Sequence, residues 1–143
     1  MYENIVVGTD GSATATRAVE QATGLAEMTG AKLHLVQAVP STVVVDPSGM
    51  AAGTTYLEQA VTDAGTFIER TAAEIAARGV AVSGRVCATG AADALIEVAE
   101  EVGADVIVVG SQGMTGAKRL LLGSVPNGVS HHAPCSVLIV RTV

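Results

Sequence analysis

The sequence predicts an α/β fold, in which a five-stranded, doubly wound parallel sheet is covered by helices on both faces. Short apolar stretches of strand length alternate along the chain with longer stretches whose apolar residues recur every three or four positions. Glycine follows several of the longer stretches, where helices commonly end. This alternation within 143 residues indicates one domain over residues 1-143.

The chain begins with a predicted βαβ unit. An apolar strand covers Tyr2 to Gly8, and Ser12 is a suitable N-cap for a helix over Ala13 to Met28. Gly30 ends that helix, and a second apolar strand covers Ala31 to Val39. The crossover between these two strands is expected to be right-handed.

The remaining elements follow a break in the pattern. Pro40 to Gly53 contains two prolines and two glycines, and we expect a mobile flap over the strand ends there. The later predicted elements are a helix over Thr54 to Arg78, an edge strand over Val80 to Thr89, a helix over Ala91 to Glu101, a buried strand over Val106 to Val109, a short helix over Ser124 to His132 and a last strand over Cys135 to Arg141.

Closely spaced glycines follow the buried strand Val106 to Val109. Gly110 and Gly113 lie three residues apart, and Gly123 with Ser124 closes the segment at the start of a helix. Glycine lets a backbone approach a ligand without a Cβ in the way, and backbone N–H groups near a helix start attract anions. We therefore expect a phosphate group to bind here.

The spacing of these glycines is specific. The pattern G-x2-G-x9-G-[ST], present from Gly110 to Ser124, resembles the nucleotide-binding signature of the universal stress protein family. The resemblance extends along nearly the whole chain, from IVVGTDGS at residues 5–12 to APCSVLIV at residues 133–140. Two motifs at opposite ends of a chain of the family's length make the resemblance stronger than one glycine-rich loop would.

The resemblance implies where a ligand lies. Sheets of this family have the Rossmann-like strand order 3-2-1-4-5, and ligands bind at the carboxyl ends of the strands where the order reverses, between strands 1 and 4. The implied ligand is ATP or a related adenine nucleotide. The implied nucleotide-binding residues are Thr9, Asp10, Ala38, Val39, Val109, Gly110, Gly113, Gly123, Ser124 and Val125.

Several of these residues have a second interpretation. Asp10 caps the first helix, or its carboxylate binds ribose hydroxyls or a Mg²⁺ ion carried by the phosphates. Ser124 is an N-cap, a role that is compatible with phosphate binding. Ala38 and Val39 correspond to positions that contact adenine in the family, but strand-end packing explains these two residues equally well.

The resemblance implies an adenine-nucleotide-binding regulatory protein that acts in the stress response. The alternative is a slow ATPase or nucleotide-processing enzyme on the same fold. Against this alternative, the chain has no Walker lysine of the G-x4-G-K-[ST] type and no evident general base, so we assign no catalytic residues. A two-component receiver domain needs an acidic pair after strand 1, and Asp10 stands there alone.

Composition excludes further classes of function. A net charge of −6 and the absence of tryptophan disfavour nucleic-acid binding, which needs clustered cations or stacking aromatics. No apolar run approaches the ~20 residues that cross a bilayer, and no signal peptide is evident, so we expect a cytoplasmic protein without a membrane partner. Cys87 and Cys135 are expected to be buried thiols.

The last strand predicts a homodimer. Residues 137–140 are consecutively apolar, and the implied strand order puts them at the sheet edge. Exposed apolar edges are aggregation hazards that proteins pair or cover. We therefore expect Ser136 to Val140 to pair antiparallel with the same strand of a second copy, as the family resemblance also implies. The alternative is an edge screened by a neighbouring helix.

Overall fold

The structure, a computed structural model, describes residues 2–40, 52–111 and 122–142. Most of the expected flap, Pro40 to Gly53, lies outside these ranges, as does Gly113. The described elements are, in chain order, β1 (Asn4–Gly8), α1 (Ala13–Thr29), β2 (Lys32–Ala38), α2 (Ala52–Ala76), β3 (Val82–Cys87), α3 (Ala91–Val102), β4 (Val106–Gly110), α4 (Ser124–His132) and β5 (Ser136–Val140).

These strands form one parallel sheet in the order β3-β2-β1-β4-β5, which confirms the predicted fold class and strand order. The central strand is β1, which pairs with β2 on one side and with β4 on the other. The chain therefore builds the sheet outward from β1 in one direction and then in the other. The order reverses between β1 and β4.

The central strands bury side chains on both faces of the sheet. Ile5 and Val7 of β1 are fully buried in a cluster with residues of α1 and α2, while Val6 is buried in a second cluster with residues of α3 and α4. Successive strand side chains point to opposite faces, so a continuous apolar run supplies two cores. The sheet thus lies between two helical layers.

Both ends of α1 have the predicted caps. The Ser12 Oγ accepts a hydrogen bond from the Ala15 N–H at 3.1 Å, which confirms Ser12 as the N-cap. At the other end Gly30 has a φ of 75°, and its N–H donates to the Ala26 carbonyl. Glycine adopts this left-handed conformation without the steric penalty that a Cβ brings.

The second long helix differs from its prediction at both ends. It begins at Ala52 rather than Thr54, and it ends at Ala76 rather than Arg78. The Arg78 N–H donates to the Ile75 carbonyl, so the helix gives way to a tighter turn whose hydrogen bonds join residues three positions apart. Gly79 follows with a φ of 88° and completes the turn.

Helix α2 lies very close to the edge strand β3. A Cβ built on Gly84 of β3 would lie only 2.2 Å from the Cγ2 of Ile68. Ile68 is itself buried in the core cluster, and its Cγ2 is attached directly to the Cβ, so it has little freedom to move away. Glycine at position 84 is what permits this approach of helix and strand.

A buried histidine, which the sequence analysis did not single out, joins three strands. The His34 Nε2 in β2 donates to the Asn4 Oδ1 at 2.9 Å, because that oxygen can only accept, and Nδ1 lies 3.2 Å from the Ser83 Oγ. Desolvation by burial, together with the charges of Lys32 and Arg85, lowers the pKa of His34. The neutral ring satisfies both of its nitrogens.

The first strand begins later than predicted, at Asn4, and a carboxylate binds the backbone at this point. The Asp105 Oδ2 accepts the Glu3 N–H at 2.7 Å and the Asn4 N–H at 2.9 Å. These two backbone hydrogen bonds lower the pKa of Asp105. The start of β1 is thereby tied to the turn that leads into β4.

Two further expectations concern cysteines and membranes. Cys87 and Cys135 are free thiols, and each is only half-buried because it lies at the periphery of a core cluster. The expectation that both thiols are buried is therefore only partly met. Burial raises the pKa of both. No helix in the described ranges is long and apolar enough to span a membrane.

Candidate functional site

The candidate site lies where the strand order reverses. Strands β1 and β4 are direct neighbours, with Val7 paired to Val108, and both end in glycine, Gly8 and Gly110. Since parallel strands share a carboxyl edge, Thr9 and Asp10 leave the sheet beside the segment that follows Gly110. The Val109 side chain is buried in the core cluster, so only its backbone can face this edge.

The turn from β1 to α1 is held by its own side chains. The Thr9 Oγ1 accepts the Gly11 N–H at 3.2 Å, and the Asp10 Oδ1 accepts the Ser12 N–H at 2.9 Å. Gly11 has a φ of 80°, a conformation that favours glycine. Asp10 is exposed and does not cap the helix, because Ser12 fills that position. Its carboxylate is therefore oriented at the sheet edge by a hydrogen bond within the turn.

The end of β2 lies on the other side of β1. The Thr9 N–H donates to the Val36 carbonyl at 2.9 Å and extends the pairing of β1 with β2 by one residue. Ala38 and Val39 follow and are both half-buried. The Val39 N–H donates to the Cys87 carbonyl at 2.7 Å, so this donor is committed to β3. Strand-end pairing therefore accounts for the backbone N–H of Val39, one of the two positions that the resemblance assigns to adenine contact.

The start of α4 corrects the interpretation of Ser124. The N-cap is Gly123, and Ser124 is the first helical residue, without a side-chain capping bond at this helix end. The Gly123 carbonyl accepts the Asn127 N–H, which is the first helical hydrogen bond. Ser124 is exposed, while Val125 is half-buried against the core cluster beneath α4. The exposed hydroxyl thus stands at the positive end of a helix.

Ser111, which the sequence analysis did not select, fixes the geometry of this edge. Its carbonyl accepts the Gly123 N–H at 2.9 Å, so the two ends of the glycine-rich segment meet directly after β4. Its N–H donates to the Val140 carbonyl at 2.7 Å, and its Oγ accepts the Thr142 N–H at 3.1 Å. The sequence feature that could have identified Ser111 is its position as a polar residue directly after a buried strand. Ser111 holds β4, β5 and α4 together.

The arrangement combines an exposed carboxylate with the N-terminal end of a helix. Such a helix end binds anions through its unpaired N–H groups, and the carboxylate binds hydroxyl groups or a cation. Within the described ranges, no group of three His, Cys, Asp or Glu side chains could hold a metal ion. His131 and His132 lie exposed at the opposite end of α4.

The sequence profile described as the universal stress protein family matches residues 1–141. The chain belongs to the universal stress protein family. A universal stress protein of Mycobacterium tuberculosis is 34% identical over 151 residues, which cover 99% of this chain and 97% of that one. The matched residues therefore include both turns of the candidate site.

Solved universal stress proteins have the same fold. The protein UspA from Lactobacillus plantarum superposes with a TM-score of 0.86 at 23% identity, over 98% of each chain. A crystal structure of a universal stress protein in complex with cAMP superposes with a TM-score of 0.75 at 31% identity, over 99% of each chain. The former supports the fold of this universal stress protein, and the latter shows that a related chain binds an adenine nucleotide.

Proposed function

We propose that this universal stress protein is an adenine-nucleotide-binding regulatory protein that acts in the stress response, with ATP or a related nucleotide as its ligand. One observation carries the proposal: the β1–α1 turn and the start of α4 converge where the strand order reverses. The relative in complex with cAMP, 31% identical to this chain, supports an adenine nucleotide as the ligand.

The two components of the site fit different parts of such a ligand. The N-terminal end of α4, with Gly123 as its cap and Ser124 exposed, suits phosphate oxygens. The carboxylate of Asp10 suits ribose hydroxyls or a Mg²⁺ ion that the phosphates carry. The end of β2 at Ala38 and Val39 offers half-buried apolar side chains for the base. The proposed set of nucleotide-binding residues is completed by Thr9, Val109, Gly110, Gly113 and Val125.

Binding of ATP is expected with micromolar-class affinity, which corresponds to about 8 kcal/mol. Calorimetry with ATP, AMP, cAMP and GTP, each with and without Mg²⁺, measures this affinity. Mass spectrometry of small molecules released on denaturation identifies any nucleotide that copurifies. The absence of both heat and thermal stabilisation with all four nucleotides would contradict the proposal.

Asp10→Asn separates the charge of this residue from its role in the turn. Asparagine keeps an Oδ1 that accepts the Ser12 N–H, so the β1–α1 turn is preserved while the carboxylate is lost. If Asp10 binds Mg²⁺ carried by the phosphates, the affinity of the variant for ATP becomes insensitive to EDTA. Asp63→Asn, on an exposed face of α2, is the matched control and should behave as the wild type.

We also propose a homodimer formed by antiparallel pairing of β5 with the same strand of a second copy. Within the described ranges, β5 pairs only with β4, so its outer edge faces no strand of its own chain. Leu138, in the middle of this strand, is 41% exposed. A two-fold pairing satisfies the outer backbone groups and covers Leu138 in one closed interface.

Leu138→Lys is expected to shift the dimer towards monomer, because two lysine charges would face each other across the proposed pairing. Leu138 is better suited than Ile139, which packs against the core cluster and whose replacement would disturb folding. Val61→Lys, at a 37% exposed position of α2, is the matched control. Sedimentation velocity at tens of micromolar measures the outcome; a monomeric wild type would overturn the dimer.

A further inference from the structure

Gln37 of β2 carries a buried side-chain oxygen without a hydrogen-bond partner. Its Oε1 accepts no hydrogen bond from any residue in ranges 2–40, 52–111 and 122–142. His34, three residues earlier in the same strand, has a partner for each ring nitrogen. Buried polar groups in native proteins are almost always hydrogen-bonded. The isolated oxygen of Gln37 therefore needs an explanation.

The position of Gln37 relates this oxygen to the candidate site. Gln37 directly precedes Ala38 at the carboxyl end of β2, and its strand neighbour in β3 is Val86. On the other side, the hydrogen bond from the Thr9 N–H to the Val36 carbonyl places Thr9 beside Gln37. Gln37 thus lies between the β1–α1 turn and the edge strand, at the same sheet edge as Asp10.

Alternation along β2 sets the direction of the side chain. Leu33 and Leu35 point into the cluster formed with α1 and α2, and Gln37 follows at the next position on that face. Phe67 of α2 lies on the same side, close enough that a Cβ on Gly11 would lie 3.8 Å from its ring. A buried amide oxygen without a partner is costly for folding, since leucine at this position would place no unpaired acceptor there.

We propose that Gln37 is a base-recognition residue whose Oε1 accepts a hydrogen bond from the 6-amino group of bound adenine. This inference rests on the proposed nucleotide-binding function and adds to it the group that selects the base. Adenine presents an N–H donor at position 6, whereas guanine presents a carbonyl oxygen that would repel the Gln37 oxygen. A buried acceptor discriminates strongly because a ligand without the donor leaves it unpaired.

The test compares ATP with purine riboside triphosphate, which has hydrogen in place of the 6-amino group. Calorimetry is performed with the wild type, with Gln37→Leu and with Gln21→Leu, a matched control on the exposed face of α1. The wild type and the control are expected to prefer ATP by about tenfold or more. Gln37→Leu is expected to bind both nucleotides with equal affinity. Without nucleotide, its melting temperature should equal or exceed that of the wild type.

Other results would contradict the inference in distinguishable ways. Wild type that binds both nucleotides equally, or Gln37→Leu that keeps the preference for ATP, overturns the role of Gln37 alone. If Gln37→Leu loses affinity equally for both nucleotides, Gln37 shapes the pocket without selecting the base, and this result also overturns the proposed role. Wild type that binds neither nucleotide overturns the proposed function as well. Gln37→Met replaces the leucine variant if the latter does not fold.

Discussion

Gly84→Ala is expected to lower the free energy of unfolding by about 1–3 kcal/mol, the usual range for overpacking a core. The added methyl group would lie 2.2 Å from the Cγ2 of Ile68, so helix α2 must move away from β3 or Ile68 must leave its rotamer. This direction is opposite to the ordinary preference for alanine over glycine within a strand. Urea denaturation followed by circular dichroism measures the change.

Two further variants show whether this contact is the cause. Gly65 lies in α2, the helix that carries Ile68, and a Cβ at this position would meet no atom within 4 Å. Gly65→Ala is therefore expected to stabilise the protein by about 0.5–1 kcal/mol. In an Ile68→Ala background the Cγ2 is absent, and Gly84→Ala should then have little effect. Additive effects of the two substitutions would show that the contact with Ile68 does not limit residue 84.

Gly11→Val is expected to disturb both the stability and the candidate site. At a φ of 80°, a residue with a Cβ carries a penalty of roughly 1–2 kcal/mol, and a β-branched residue is especially unfavourable. The turn must change shape to relieve this strain, and Asp10 moves with it. We expect the affinity for ATP to fall about tenfold or more, which corresponds to about 1.4 kcal/mol.

Gly30→Val separates these two effects. Gly30 has a nearly identical φ of 75° but lies at the other end of α1, remote from the carboxyl edge of the sheet. Its substitution should lower stability to a similar degree, as measured by thermal denaturation, and leave the affinity for ATP unchanged. If both variants lose affinity equally, the loss reflects destabilisation of the fold rather than the position of the turn.

The fold followed from the sequence because its signals are local and agree with one another. The apolar runs of β1, β2 and β4 fit a sheet buried on both faces, and Ser12 and Gly30 mark the ends of α1 by their chemistry. The strand order came from the family resemblance, and the structure confirms it. Boundaries were less predictable, as in α2, where a short turn of tighter hydrogen bonds replaces the last helical residues.

The site was predictable in place but not in detail. The convergence of two turns between β1 and β4 required only the strand order, whereas the roles of Ser111 and Gly123 depend on hydrogen bonds between distant segments. Such bonds leave no periodic trace in a sequence. For the same reason Gln37 attracted no notice, since a polar residue near a strand end is unremarkable until its burial and missing partner are known. The nucleotide-binding roles of the site residues stay predictions.

The hydrogen bond between Ser111 and Gly123 also has a consequence for how the chain can vary in length. The bond joins the two residues that flank the segment, so a change in the length of the chain between them is a problem of loop closure. The entropy of closing such a loop grows only with the logarithm of its length, and each doubling adds about 0.6 kcal/mol. Insertions between these two residues should therefore leave the sheet nearly as stable as before, but they would change the spacing of the G-x2-G-x9-G-[ST] pattern in which the proposed site lies.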